Sequence, residues 1–185
     1  MRVDRWRAGD NAAGQALLAR HFDTLYGFFV TKCDQDADDL VQRTLLACVA
    51  AKHAFRKQAS FRTYLFTVAR HELYHHARAQ RRDGARRDGA ISSVGSVAAP
   101  LTTAGSRLAR DAERRRVIAA LRQLPLAAQT LLELYYWQEL DIEALAQVLA
   151  AAPGAIKVRL HRARHRLRAL LELPGDGPIA GLTRP

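Results

Sequence analysis

Only two cysteines occur in 185 residues, Cys33 and Cys48. Both lie within helical patterns and neither has disulfide or metal-ligand spacing, so a disulfide scaffold or a cysteine-based metal module is excluded. Cys48 reads as a small buried residue rather than a reactive one. Strand signals are equally scarce: apolar residues recur at helical spacing almost throughout, which predicts an all-α chain. No apolar run is long enough to span a bilayer. A charged, mixed segment follows Met1 where a secretory signal would carry an apolar core. The expected location is therefore cytoplasmic, with no membrane insertion.

Acidic residues are outnumbered, 18 against 29 basic ones, for a net charge of +11. The excess is uneven. Residues 1–82 carry fourteen basic and eight acidic side chains, 111–152 carry four and six, and 153–185 carry seven and two. Segregation of this kind marks contact surfaces at the two ends, and its sign favours polyanions. Apolar residues make up 49% of the chain, enough for packed cores.

The helical pattern falls into two halves, expected at 1–82 and 107–173. In the first half a helix is predicted after Gly9-Asp10-Asn11, running through Leu17, Leu18, His21, Phe22, Leu25, Tyr26 and Phe29. A second begins in the acidic stretch Asp34, Asp36, Asp38 and Asp39, where negative charge suits a helix N-terminus. Its inward stripe is Ala37, Val41, Leu45 and Cys48. Lys52 to Ala59 reads as a basic loop, after which Ser60 caps a third helix running to about Arg81.

Residues 83–106 are small and polar without periodicity, and are expected to be a flexible linker of roughly two dozen residues. In the second half, Val117, Ile118, Leu121 and Leu124 form one helical face closed by Pro125. Another helix follows around Leu131 to Tyr135. Asp141 then caps a short helix from Ile142 to Ala150, and Pro153 opens a final one. Residues 174–185, rich in Gly and Pro, are expected to be a disordered tail.

The last two helices carry the strongest signal. A short small-residue turn joins them, and from Pro153 to Leu170 there are six Lys/Arg and no acid. That is the layout of a helix-turn-helix whose second helix enters the major groove. With Ile156, Leu160, Ala163 and Leu167 inward, the opposite face carries Ala155, Val158, His161, Arg162 and His165. Lys157, Arg159, Arg164 and Arg166 flank it, suited to phosphates on either side of a groove. A plain solvated basic helix is the alternative on composition alone.

Both halves resemble one family, the extracytoplasmic-function (ECF) group of sigma-70 family bacterial sigma factors. D-A-D-D-L-V-Q-R-T-L (Asp36–Leu45) resembles the region 2.2 pattern, and S-F-R-T-Y-L-F-T-V-A-R (Ser60–Arg70) the region 2.3/2.4 run. I-A-A-L-R-Q-L-P (Ile118–Pro125) is similar to the start of region 4. Leu140–Leu171 resembles its helix-turn-helix.

The resemblance implies two small helical domains that bind RNA polymerase core, at the largest-subunit clamp and the flap, together with promoter DNA. An anti-sigma factor is a further possible partner. It implies polymerase contacts at Asp36, Asp39, Leu40 and Gln42. It assigns minus-ten contacts to Arg56, Lys57, Phe61, Arg70, His71, Tyr74, His75 and Arg78, where single-strand capture needs cations and a base pocket. Minus-35 contacts fall to Lys157, Val158, Arg159, His161, Arg162 and Arg166. It implies no cofactor, metal or catalytic residue.

The chain departs from the pattern at three places. His71 and His75 stand where the family often has Asn or Asp, Arg43 and Leu45 replace an acid and Phe, and Ala150 replaces the turn glycine. Two competing readings exist. His71-Glu72-Leu73-Tyr74-His75 matches the H-E-x-x-H of zinc metalloproteases, but no third ligand follows at a suitable spacing. An ordinary helix-turn-helix regulator accounts for the second half and leaves D-D-L-V-Q and S-F-R-T-Y-L unexplained.

Overall fold

The computed structural model describes residues 2–33, 35–52, 60–86, 106–175 and 177–182. The chain divides into two compact units, Met1–Val97 and Ala98–Pro185. Their boundary falls within the stretch expected as a linker, of which residues 87–105 lie outside the described residues. Every regular element among the described residues is a helix, and none is long and apolar enough to cross a membrane.

In the first unit α1 (Arg2–Arg7), α2 (Asn11–Val30), α3 (Ala37–Ala50) and α4 (Phe61–Arg86) pack around one core. Helix α2 starts where the Gly9-Asp10-Asn11 punctuation predicts. The Asp10 carboxylate accepts from the Ala13 N–H at 2.9 Å and pairs with Arg5 at 2.7 Å. The Ala13 N–H and the Arg5 charge hold that carboxyl below its ordinary pKa against the opposing effect of burial. Ser60 caps α4 as expected, its hydroxyl accepting from the Thr63 N–H at 3.0 Å.

The centre of this core is aromatic. Phe28, Phe29 and Phe66 are fully buried, and Phe28 meets Phe66 edge-on at 5.4 Å between centroids. Leu25, Leu40, Val41, Cys48, Leu65, Ala69 and Leu73 complete it. Two features of this unit lie outside the periodic pattern. Phe22 is 41% exposed, while Phe28 is buried in the core. Helix α1 has no counterpart in the periodic pattern: at six residues it depends on Trp6, which is buried against α2.

The second unit contains α5 (Ser106–Arg122), α6 (Leu126–Tyr136), α7 (Ile142–Leu149) and α8 (Pro153–Leu170). Helices α6, α7 and α8 bury Leu131, Leu132, Leu134, Leu145, Val148, Ile156, Leu160 and Leu167. Asp141 caps α7 by accepting from the Ala144 N–H at 2.7 Å, and Pro153 sits in the first turn of α8, where its missing N–H is harmless. Helix α7 ends on Ala150 at φ 48°, ψ 52°, a left-handed conformation that favours glycine. The replaced turn glycine therefore leaves the turn geometry in place with a strained alanine in it.

The expected disordered tail needs correction. Ile179 and Leu182 are buried, Trp137 Nε1 donates to Gly181 O at 3.2 Å, and Arg168 donates to the carbonyls of Pro174 and Gly177. Two apolar anchors and a set of backbone acceptors hold the segment through Leu182 on the unit, apart from residue 176, which lies outside the described residues.

Candidate protein and nucleic-acid interfaces

The start of α3 carries the acidic motif, and its side chains divide between two environments. Asp36 precedes the helix without capping it by a side-chain hydrogen bond. Its Oδ2 lies 3.3 Å from His76 Nε2 and accepts from Gln80 Nε2 at 3.2 Å, tying α3 to α4. Asp39 faces solvent and pairs with Arg43 at 2.7 Å, one turn on. Gln42 is exposed. Leu40 is not on this surface: at 0% exposure it belongs to the core, because the L-V pair straddles the inward stripe.

The same outer face continues with Leu46, 68% exposed, and Val49, 43% exposed. At 3.6 residues per turn, Asp39, Gln42, Leu46 and Val49 share one side of α3, an acidic and amide start followed by an apolar end. Sequence reasoning missed the apolar part, since Leu45 and Leu46 are adjacent and either could face in. Leu45 is half-buried.

Helix α4 presents His71, His75, Arg78 and Arg82 as exposed side chains along one stripe. Arg70 lies over the Tyr74 ring at 5.0 Å, both half-buried. Phe61 is only 8% exposed and packs edge-on to Trp6 at 6.0 Å, so it is a core residue and not an accessible stacking platform. Arg56 and Lys57 lie outside the described residues.

In the H-E-x-x-H segment, the Glu72 carboxylate sits 3.7 Å from His71 Nδ1, whose ring is open to solvent. Among the described residues no group of three or more His, Cys, Asp or Glu could hold a metal ion. Nor do the thiols offer a nucleophile: burial pushes Cys33 up to about 11 and Cys48 up to about 12, so both stay protonated at neutral pH.

Helix α8 places its side chains as its pattern predicts. Ile156, Leu160, Ala163 and Leu167 are buried, while Lys157, Val158, Arg159, His161, Arg162, His165 and Arg166 are exposed. Val158 is half open to solvent, an apolar group at the centre of a cationic face. Arg164 is half-buried. Arg168 departs from the surface reading: it is buried beneath the C-terminal segment. An arrangement of long cations around a central face can hold a strand backbone on both sides and reach base edges between them.

Comparison with known proteins agrees with both units. The family model for Sigma-70 region 2 matches residues 17–83, and that for Sigma-70, region 4 matches residues 114–167. The RNA polymerase sigma factor CarQ of Myxococcus xanthus is 27% identical over 171 residues, covering 91% of this chain and 95% of that protein. The ECF RNA polymerase sigma factor EcfG of Rhodopseudomonas palustris is 34% identical over 139 residues, covering 75% and 73%. Among solved structures, sigma factor RpoE of Bartonella quintana, in complex with the anti-sigma factor NepR, has a TM-score of 0.73 and 26% identity, covering 87% of this chain and 98% of that one. The ordered pair of helical units, one with an acidic motif at the start of α3 and one with a cationic helix-turn-helix, belongs to an ECF sigma factor of the sigma-70 family.

Proposed function

We propose that the first unit docks on the clamp of RNA polymerase core through the outer face of α3. Asp39 and Gln42 supply the polar contacts, and Leu46 and Val49 extend them with apolar area. Asp36 acts from the edge of that face, its carboxylate shared with His76 and Gln80. Charge sets the approach and the register, and the apolar end adds buried area once docking is complete. The second unit reaches the flap.

The minus-ten element lies along α4 in this reading. His71, His75 and Arg78 face it directly, with Arg70 and Tyr74 paired beside them, and Arg56 and Lys57, outside the described residues, add two cations from the sequence just before α4. Cations follow the strand backbone while a displaced base finds an aromatic or imidazole surface. Lys157, Val158, His161 and Arg162 read the minus-35 element, and Arg159 and Arg166 hold phosphates. The chain carries out no bond chemistry of its own: it acts in the cytoplasm by binding polymerase and promoter together. An anti-sigma factor covering these faces is a further expected partner, by analogy with the Bartonella quintana complex.

One observation carries the reading: exposed cations on α8 sit around an apolar and imidazole centre, behind an Asp141-capped helix. Reconstitution with core polymerase on a library of genomic promoter fragments tests it. Specific initiation at a discrete set of sites, lost when α8 charges are removed, is the expected result. Failure to associate with core, or initiation indifferent to the added chain, overturns it.

A further inference from the structure

Helices α2, α3 and α7 each begin on an aspartate, but only two of the three aspartates act as caps. Asp10 and Asp141 have extended backbone and accept from the N–H three residues on, at 2.9 and 2.7 Å. Asp36 does neither: its backbone stands at φ −108°, ψ 7°, and its side chain makes no capping bond. Its Oδ2 turns instead to α4, where it lies 3.3 Å from His76 Nε2 and accepts from Gln80 Nε2 at 3.2 Å. A favourable local bond is replaced by a contact with a helix far along the chain. Departures from local preference of this kind belong to functional positions.

His76 and Gln80 are one turn apart and share a face of α4. The His76 side chain is 13% exposed against 43% for Asp36, so the imidazole lies beneath and the carboxylate stays open above it. His76 Nε2 is closed to solvent and has no hydrogen bond among the described residues, and Asp36 is the carboxylate within its reach. Oδ1 of Asp36 has neither a hydrogen bond nor an ion pair among the described residues. One oxygen is thus engaged from below while the other is left for a partner.

We propose that His76, helped by Gln80, is a positioning residue for polymerase docking: it holds Oδ2 of Asp36 so that Oδ1 can receive a lysine or arginine side chain of core. The inference rests on the reading of α3 as the docking face. A carboxylate already fixed on one oxygen loses less freedom when a cation binds the other, and the bond it forms is charge-assisted.

Titration of core polymerase with the full chain, with thermal melting in parallel, tests it. His76→Phe keeps a ring and removes the nitrogen that faces Asp36. Core binding should weaken about fivefold, the effect of having to order one side chain on association. His76→Gln, which retains an N–H donor, should recover most of the affinity. In an Asp36→Ala background His76→Phe should cause no further loss, because nothing is left to position. Gln80 is exposed, so Gln80→Ala perturbs folding least. It should weaken binding about twofold, again only while Asp36 is present. Unchanged affinity in both His76→Phe and Gln80→Ala overturns the proposal. So does an equal loss with and without Asp36, or a loss that follows melting and is not recovered by His76→Gln. If these variants bind like the parent while Asp39→Ala with Gln42→Ala binds weakly, docking through α3 stands and this inference alone falls. A parent chain that does not bind core removes both.

Discussion

The Trp6 indole occupies the space where a side chain on Gly14 would begin: a Cβ there would overlap its Cδ1 and Nε1. The close approach lets a six-residue helix dock on α2 and brings the indole edge-on to Phe61 at the start of α4. Trp6 thus pins two helices with one side chain. Gly14→Ala should displace α1 and cost about 1–3 kcal/mol, as overpacking does. Chemical denaturation would read the loss, and a red shift of Trp6 emission in a Trp137→Phe background would locate it. An unchanged spectrum would show that α1 does not depend on this contact.

At the turn of the helix-turn-helix the strain runs the other way. Ala150 adopts φ 48°, which costs an L-residue about 1–2 kcal/mol, while glycine adopts it freely. Part of that gain is offset by the greater unfolded-state entropy of glycine, so Ala150→Gly should stabilise the unit by about 0.5–1 kcal/mol. A lower melting temperature for the variant would contradict the strain assignment.

Asp36 and Asp39 should separate in their effects. Asp36 is tied to α4, so Asp36→Ala should lower stability slightly, by about 0.5 kcal/mol, given its partial exposure. Among the described residues Asp39 pairs only along its own helix, with Arg43 at the surface. Asp39→Ala with Gln42→Ala should leave melting unchanged and weaken binding to core polymerase about tenfold or more. Equal melting losses for the two would argue against a docking role for Asp39.

On α8, Arg162 and Arg166 are both exposed and lie one turn apart, and the proposed division gives base reading to Arg162 and a phosphate to Arg166. Arg162→Ala should change the preference among minus-35 variants, by about 1–3 kcal/mol at one position. Arg166→Ala should weaken all sites alike and reduce the salt slope by about one. Binding isotherms on a promoter panel at several salt concentrations distinguish them, and parallel losses would remove the division.

His21 makes the first unit sensitive to acid. Burial, then the charges of Arg62 and Arg20, lower its pKa below 6.5, and its ring lies 5.5 Å from Phe61. Below pH 6.5 the unfolded chain therefore binds this proton more readily than the folded one. The His21 contribution is present above 6.5 and lost as pH falls through the depressed folded value. His21→Gln should flatten the pH dependence of stability over that window. An identical slope in the variant would assign the acid sensitivity elsewhere.

Most of the helices were legible because their signals are local. Asp10, Ser60, Asp141 and Pro153 mark helix starts through bonds to residues within one turn, or through a missing N–H. The inward stripe of α8 is read correctly since Ile156, Leu160, Ala163 and Leu167 repeat without competing apolar neighbours, Val158 excepted. Leu40 and Phe61 misled for different reasons. Leu40 adjoins Val41, so periodicity could not say which faced in, whereas Phe61 was given a stacking role by resemblance although it stands one turn before the buried Leu65.

The sequence by itself determined that this protein is helical, that it has two halves, and where its cations and acids cluster, because periodicity, capping and charge act over a few residues. Only the tertiary structure decided that Trp6 builds a helix too short to stand alone, that Ile179 and Leu182 anchor a Gly/Pro-rich tail, and that Arg168 leaves the surface. Those outcomes depend on what a distant stretch of chain offers for burial and hydrogen bonding, and no local pattern records that.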